Sequence, residues 1–282
     1  MPHQPSPHKP GLPRLSQAQV GLTREIEVQD EQGLRRRLHI PCERPLTVFV
    51  DKRELITLMT LGVAPELLVL GYLRNQGLIH AAEAIESITV DWEVGAAALR
   101  THAGLSEAWA QKTAKRTLTT GCGQGTVFGD MMAGLEGLAL PAPTQARLSK
   151  SALYAQLVQM RAQDSVYKQA GSVHGCALFE GERLLVMVED VGRHNALDTI
   201  AGWLWMNHPG RLQAPVLYTT GRMTSEMVLK AAWMGVPIIV SRNGITQMGF
   251  DLAQQLGLCL IGRAKGRHFI VYSGFERFDA ML

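Results

Sequence analysis

Short stretches of apolar and polar residues divide the first half of the chain. Glu25 to Val28 and Leu38 to Ile40 read as strands flanking the polar turn Asp30-Glu31-Gln32-Gly33, and Thr47 to Val50 as another. Glu54-Leu55-Ile56-Thr57-Leu58-Met59 predicts the start of a helical stretch. Pro65 to Arg74 continues as a second helix, which Gln76-Gly77 closes with a C-terminal glycine signal. Ile85 to Val90 and Arg116 to Thr120 are short β-leaning runs, so the chain to about Gly129 reads as a small α/β unit.

Pro141-Ala142-Pro143-Thr144 is the clearest break. Beyond it Leu153, Leu157 and Met160 recur at helical spacing. Val173 to Phe179 and Leu184 to Val188 flank Glu180-Gly181-Glu182 as the arms of a hairpin do, and a helix is expected from about Ala196 to Trp205. Strand and helix then alternate: Val216 to Thr219, Ser225 to Met234, Ile238 to Val240, Thr246 to Leu256 and Leu258 to Ile261, with Phe269 to Tyr272 as a last strand. That alternation argues for a sheet with parallel strands and covering helices. The expected organisation is a disordered tail at 1–19, a small N-terminal α/β domain at 20–140 and a second α/β domain at 141–282. Met1 to Arg14 is rich in Pro and His and has no apolar h-region, which argues for a tail and against a signal peptide.

Composition narrows the class. A chain of 282 residues, 46% hydrophobic and 19% charged, has the make-up of an ordinary globular protein. A net charge of +3 is too small to argue for nucleic acid or membrane binding, and no apolar stretch reaches the ~20 residues that span a bilayer. Cys42, Cys122, Cys176 and Cys259 are widely spaced and form neither a zinc pair nor a disulfide framework. A reducing, cytoplasmic setting fits best.

Three segments of the second half share a composition. Asp190-Val191-Gly192-Arg193-His194-Asn195, Thr220-Gly221-Arg222-Met223-Thr224 and Ser241-Arg242-Asn243-Gly244 each leave a strand and enter a helix. Each carries a Gly, an Arg and small polar residues. In open α/β sheets such loops lie at the carboxyl ends of strands, where ligands bind. Helix N-termini there offer free N–H groups and partial positive charge to anions. Turns also need such residues, but three loops each with an Arg point to a phosphate or nucleotide cradle. His194 shares its loop with Asp190 and Arg193, although Asn195 followed by Asp198 also resembles a plain helix cap.

Cys122 stands apart from the other thiols. Gly121, Gly123 and Gly125 surround it, and Lys112, Lys115 and Arg116 precede it. Glycines leave the sulfur accessible and the cations favour the reactive thiolate. Cys176 and Cys259 lie in apolar strand contexts that suit buried structural thiols. His174-Gly175-Cys176 lacks the Glu and the later Cys-x-x-Cys of a zinc deaminase, so no zinc is expected. The residues alone suggest a sulfur- or electrophile-handling protein that also binds an anion.

The run Asp190-Val191-Gly192-Arg193-His194-Asn195 resembles a specific signature of the formate dehydrogenase accessory sulfurtransferases, the FdhD family. So do Gly171 to Gly175, Thr220 to Met227 and Leu260 to Arg267, and the resemblance covers nearly the whole chain after the tail. It implies a small N-terminal domain and a cytidine-deaminase-like C-terminal α/β domain without a zinc site. It also implies a cytoplasmic homodimer that takes sulfur from a cysteine desulfurase as a persulfide. That sulfur goes to the bis-molybdopterin guanine dinucleotide cofactor, the molybdenum cofactor of formate dehydrogenase. Cys122 falls at the family's persulfide position, and Arg263-Ala264-Lys265-Gly266-Arg267-His268 falls where the family contacts the guanine dinucleotide. Asp190, Gly192, Arg193, His194, Gly221 and Arg222 complete the expected cofactor-binding set. The family often carries Cys-Gly-x-Cys-Gly, but here Gly125 takes the second cysteine position, which excludes a two-cysteine relay. The rival expectation is a cofactor-binding chaperone that does not transfer sulfur; a nucleotide deaminase is disfavoured by the missing metal ligands.

Overall fold

A computed structural model describes residues 11–104, 138, 140–208, 210 and 212–280. The first half is built on a five-stranded sheet. Its strands are β1 (Arg14–Leu15), β4 (Arg44–Val50), β5 (Arg53–Thr60), β6 (Ile85–Asp91) and β7 (Ala96–Thr101), in the order β1-β6-β7-β4-β5. A separate ribbon pairs β2 (Thr23–Gln29) with β3 (Arg35–Pro41). Helix α1 (Pro65–Asn75) starts on Pro65, whose missing N–H costs nothing in a first turn. Leu46, Val48 and Val50 alternate into a core with Ile56, Leu58, Leu70 and Leu73.

Two expectations for this half are corrected. Glu54 to Met59 is not helical: it lies within β5, antiparallel to β4, with Ile56 and Leu58 buried on one face. Its burial has a period of two, and its hairpin loop is Asp51-Lys52, with both residues in the left-handed region at φ 45° and 71°. That loop is a two-residue turn without the usual glycine. Asp51 anchors it, accepting from the backbone N–H of Thr101 at 2.9 Å and its hydroxyl at 2.6 Å. The tail expected at 1–19 is also docked over residues 11–19. β1 runs parallel to β6, Leu15 packs on the core, and Ser16 and Ala18 both donate to the buried carboxylate of Glu66. A buried carboxylate needs such donors, so a composition suited to a tail is overridden by two hydrogen bonds and one apolar anchor.

The second half holds a six-stranded sheet: β9 (His174–Glu180), β10 (Arg183–Asp190), β11 (Pro215–Thr219), β12 (Ile238–Ser241), β13 (Cys259–Lys265) and β14 (His268–Ser273). The order is β10-β9-β11-β12-β13-β14, with β11, β12 and β13 parallel and β9 and β14 antiparallel to their neighbours. The carboxyl ends of β10, β11, β12 and β13 therefore share one edge with the starts of β9 and β14. Helices α4 (Arg193–Asn207), α5 (Ser225–Trp233) and α6 (Gln247–Leu256) cover one face. Helix α2 (Lys150–Ala162), entered from the two-residue strand β8 (Leu148–Ser149), covers the other, and the short α3 (Val166–Ala170) follows it. The mixed α/β class agrees with the sequence pattern, and every strand and helix expected after Val173 is present within a few residues.

The halves meet where α1 crosses α4. A Cβ on Gly71 would lie 1.6 Å from the carbonyl oxygen of Asp198, and one on Gly202 would lie 2.1 Å from that of Leu67. The two backbones touch, and only glycine fits at either position. Gly71→Ala or Gly202→Ala should therefore destabilise the protein by ~3 kcal/mol or more. Gly21→Ala, which meets nothing within 4 Å, should change stability by less than ~0.5 kcal/mol. Urea denaturation of the three variants checks this; equal midpoints would refute the close crossing.

Candidate functional site

The shared sheet edge collects most of the residues singled out in the sequence. β10 ends on Asp190, and α4 begins at Arg193 after Gly192 without any side-chain cap. Asn195 therefore does not cap α4. Its amide instead donates to the Met59 carbonyl at 2.7 Å and to Asp190 Oδ1 at 3.0 Å. Asp190 is 2% exposed. Its carboxylate accepts from the Thr60 hydroxyl, the N–H of Leu61 at 3.1 Å and the N–H of Gly192 at 3.1 Å. Burial pushes its pKa up, and these donors oppose the shift. The conspicuous Asp-Val-Gly-Arg-His-Asn run thus clamps the end of β5 to the start of α4. Asp190 and Asn195 face inward, while Arg193 and His194 lie in the first turn of α4.

Arg193 is buried, and its stem lies across the β11–α5 loop: a Cβ on Gly221 would meet Arg193 Cδ at 2.6 Å. His174, at the start of β9, has Nδ1 3.3 Å from Thr220 Oγ1. Its pKa is lowered by burial and then by the charges of Arg193 and Arg222. These two arginines, from two loops, therefore act on one imidazole. Arg222 is exposed at the rim. Like α4, α5 has no side-chain cap, whereas Ser149, Ser165 and Thr246 cap α2, α3 and α6. The two helix starts flanking Arg193 and Arg222 thus lack the side-chain acceptor that α2, α3 and α6 have, as does that of α1.

The third arginine-bearing loop diverges. Arg242 lies over the ring of Tyr167 at 6.0 Å, and its charge opposes the upward shift that burial gives the Tyr218 hydroxyl. It faces α3, whose first N–H groups are held by Glu189 at 2.6 and 3.3 Å. Arg263, Lys265, Gly266, Arg267 and His268 form the exposed tip of the β13–β14 hairpin on the same edge. Ala264 is buried against the opposite core and offers no side chain to a ligand. Tyr154 of α2 donates to the Arg267 carbonyl at 3.2 Å.

Beneath the edge lies a charged cluster that sequence reasoning missed. Lys230, 1% exposed, is 2.9 Å from Asp198 and 3.1 Å from Glu226. Asn75 of α1 donates to Asp198 at 2.7 Å, and His194 Nδ1 is 3.4 Å from Glu226. Burial alone would lower the Lys230 pKa, but Asp198 and Glu226 outweigh it and raise it. The available signal was a lysine within the apolar run Val228-Leu229-Lys230-Ala231-Ala232, which only pairing makes tolerable.

Cys176 and Cys259 are buried thiols, and burial pushes each up to about 12, so neither is a nucleophile. Cys122 and the Arg116 to Thr120 run lie outside the described residues. Among the described residues no group of three or more His, Cys, Asp or Glu could hold a metal ion, and no helix is long and apolar enough to cross a membrane.

A two-part α/β chain with a cationic strand edge has clear relatives. The model of the FdhD/NarQ family matches residues 41–279. The sulfur carrier protein FdhD of Bacillus subtilis is 32% identical over 240 residues, covering 83% of this chain and 88% of that one. Its namesake from Geobacillus kaustophilus is 31% identical over 260 residues, covering 90% and 92%. A crystal structure from Desulfotalea psychrophila, assigned as a formate dehydrogenase accessory protein, superposes with a TM-score of 0.71 at 27% identity. It covers 91% of this chain and 98% of that one. The chain belongs to the FdhD/NarQ family.

The site makes stability depend on pH. Burial, followed by the charge of Lys230, pushes His194 down from 6.5 to about 3. Between those values the unfolded chain binds a proton that the folded chain does not, so stability is lost as pH falls from 6.5 towards 3. His174, also lowered, adds the same sign. His194→Gln should retain more of its pH 8 urea midpoint at pH ~5 than the parent does; an equal drop in both would refute this.

Proposed function

We propose that this protein is a sulfur carrier for formate dehydrogenase maturation. In this reading it takes sulfur from a cysteine desulfurase as a persulfide on Cys122 and delivers it to the bis-molybdopterin guanine dinucleotide cofactor. The observation that carries the reading is the cationic strand edge, where Arg193 and Arg222 lie in two neighbouring strand-to-helix loops whose helix starts have no side-chain cap, and both charges act on His174. Arg263, Lys265 and Arg267 extend it along the neighbouring hairpin. An edge of that kind suits a dianionic diphosphate, because arginine's planar fork donates in pairs to phosphate oxygens. The names of the relatives, sulfur carrier proteins, support the sulfur half of the reading.

The sulfur step is a thiol exchange. The Cys122 thiolate attacks the outer sulfur of the desulfurase persulfide, a new S–S bond forms, and the desulfurase cysteine leaves as its thiolate. With Gly125 in the second cysteine position, Cys122 carries the sulfur alone. Of the described thiols, Cys176 and Cys259 lie in the core with pKa values raised by burial, while Cys42 is partly exposed; Cys122 is favoured over Cys42 by its flanking glycines and the cations that precede it.

Two experiments test the two halves. Cells whose only copy is Cys122→Ala should lose formate dehydrogenase activity, with folding and nucleotide binding intact. Near-normal activity would leave the cofactor-binding chaperone as the better account. Guanosine diphosphate should bind the purified protein, and Arg222→Ala or Arg267→Ala should each weaken it by ~1.5–3 kcal/mol. Calorimetry showing binding untouched by both substitutions would remove the cradle.

A further inference from the structure

The loops at the cationic edge are tied to one another beyond the last rungs of the sheet. The N–H of Arg242 donates to the Thr219 carbonyl at 3.1 Å, and the Ser241 hydroxyl donates to the Gly221 carbonyl at 2.6 Å. The Asn243 side-chain amide donates to the Thr220 carbonyl at 2.7 Å. Its own backbone carbonyl accepts the N–H of Arg263 at 2.9 Å. Asn243 thus holds the loop of Arg222 with its side chain and the Arg263 segment with its backbone.

The Arg263 side of this link is unusual. Arg263 sits in the left-handed region at φ 52°, where the pairing of β13 with β14 shifts register between Gly262 and Lys265. A non-glycine residue keeps such a conformation only where its surroundings hold it, and bulges of this kind re-aim side chains. A Cβ on Gly262 would lie 2.9 Å from the Asn243 carbonyl oxygen, so glycine keeps room for the link. Asn243 itself is exposed and fills no core. Its side-chain tie to Thr220 adds to those of Ser241 to Gly221 and of Met223 to Gly244, and its backbone carbonyl carries the link to Arg263.

We infer that Asn243 is a positioning residue of the anion site, setting the distance between the Arg222 loop and the Arg263–His268 hairpin tip. The inference rests on the cradle reading above. Asn243→Ala keeps the backbone acceptor and removes the tie to Thr220. The test is calorimetric titration of guanosine diphosphate into the full chain, for the parent, Asn243→Ala, Arg222→Ala and the double variant. Asn243→Ala should weaken binding about five- to tenfold, with at most a small fall in the urea midpoint from the lost exposed bond. In the Arg222→Ala background the same change should cost less than about twofold, because the group being positioned is gone. An undiminished loss in that background overturns the inference, since Asn243 would then touch the ligand itself. So does full affinity in Asn243→Ala while Arg222→Ala binds weakly. If Arg222→Ala and Arg267→Ala are both silent, the cradle reading has failed, a different result from failure at Asn243 alone.

Discussion

The backbone contact between α1 and α4 is the constraint on which the rest of the molecule depends. With no side chain at Gly71 or Gly202, the helices approach until each backbone bears on the other. That approach brings Asn75 to Asp198 and lets Arg74 reach the carbonyls of Ala201 and Trp233. It also sets the end of β5 against the start of α4, where Thr60 and Leu61 satisfy Asp190. Move the helices apart by a methyl group and two buried carboxylates lose donors. A buried acceptor left unmade costs more than the net worth of the bond, so the fit of two glycines is backed by electrostatics on both sides.

The charged layer under the edge then has a coherent logic. Asp198, Lys230 and Glu226 carry one more negative than positive charge if all are ionised. The layer is buried among α1, α4 and α5 and ends at His194. The charge of the buried Arg193 acts on Glu226 and His194 of this layer, and Arg222 is exposed in the next loop. Positive groups at a rim with a negative layer below can be held close together with less mutual repulsion than on an uncharged support. The uncapped starts of α4 and α5 add their partial positive charge at the same level.

Much of this was legible in the sequence, and the limits have physical causes. The alternation after Val173 was readable because parallel strands buried on both faces make continuous apolar runs and their helices carry separate stripes. The segment Glu54 to Met59 misled because its four apolar residues, Leu55, Ile56, Leu58 and Met59, fall in adjacent pairs three apart, a helix-like spacing, and only the Asp51-Lys52 turn reveals that burial follows Ile56 and Leu58. The motif Asp190 to Asn195 stands out in the sequence, but the side chains of Asp190 and Asn195 face inward to the β5 end. A sequence shows that such residues are demanding, not which way they point. The Lys230 cluster depends on residues from α1, α4 and α5, whose proximity is tertiary. Arg242 resembled its two counterparts in composition yet stacks on Tyr167, a difference that only the position of α3 decides.

The crossing of α1 and α4 also bears on the order in which the chain acquires its structure during synthesis. Domains made on the ribosome tend to fold as units, N-terminal first. Here the five-stranded sheet emerges early, but the bare strip of α1 around Gly71 and the donors Thr60 and Leu61 stay without their counterparts until the chain has been made past Gly202. A nascent first half would show water, and its neighbours, the apolar residue Leu67 that later packs on the second core. The fold thus carries a window of vulnerability to aggregation, one that closes only when α4 leaves the tunnel.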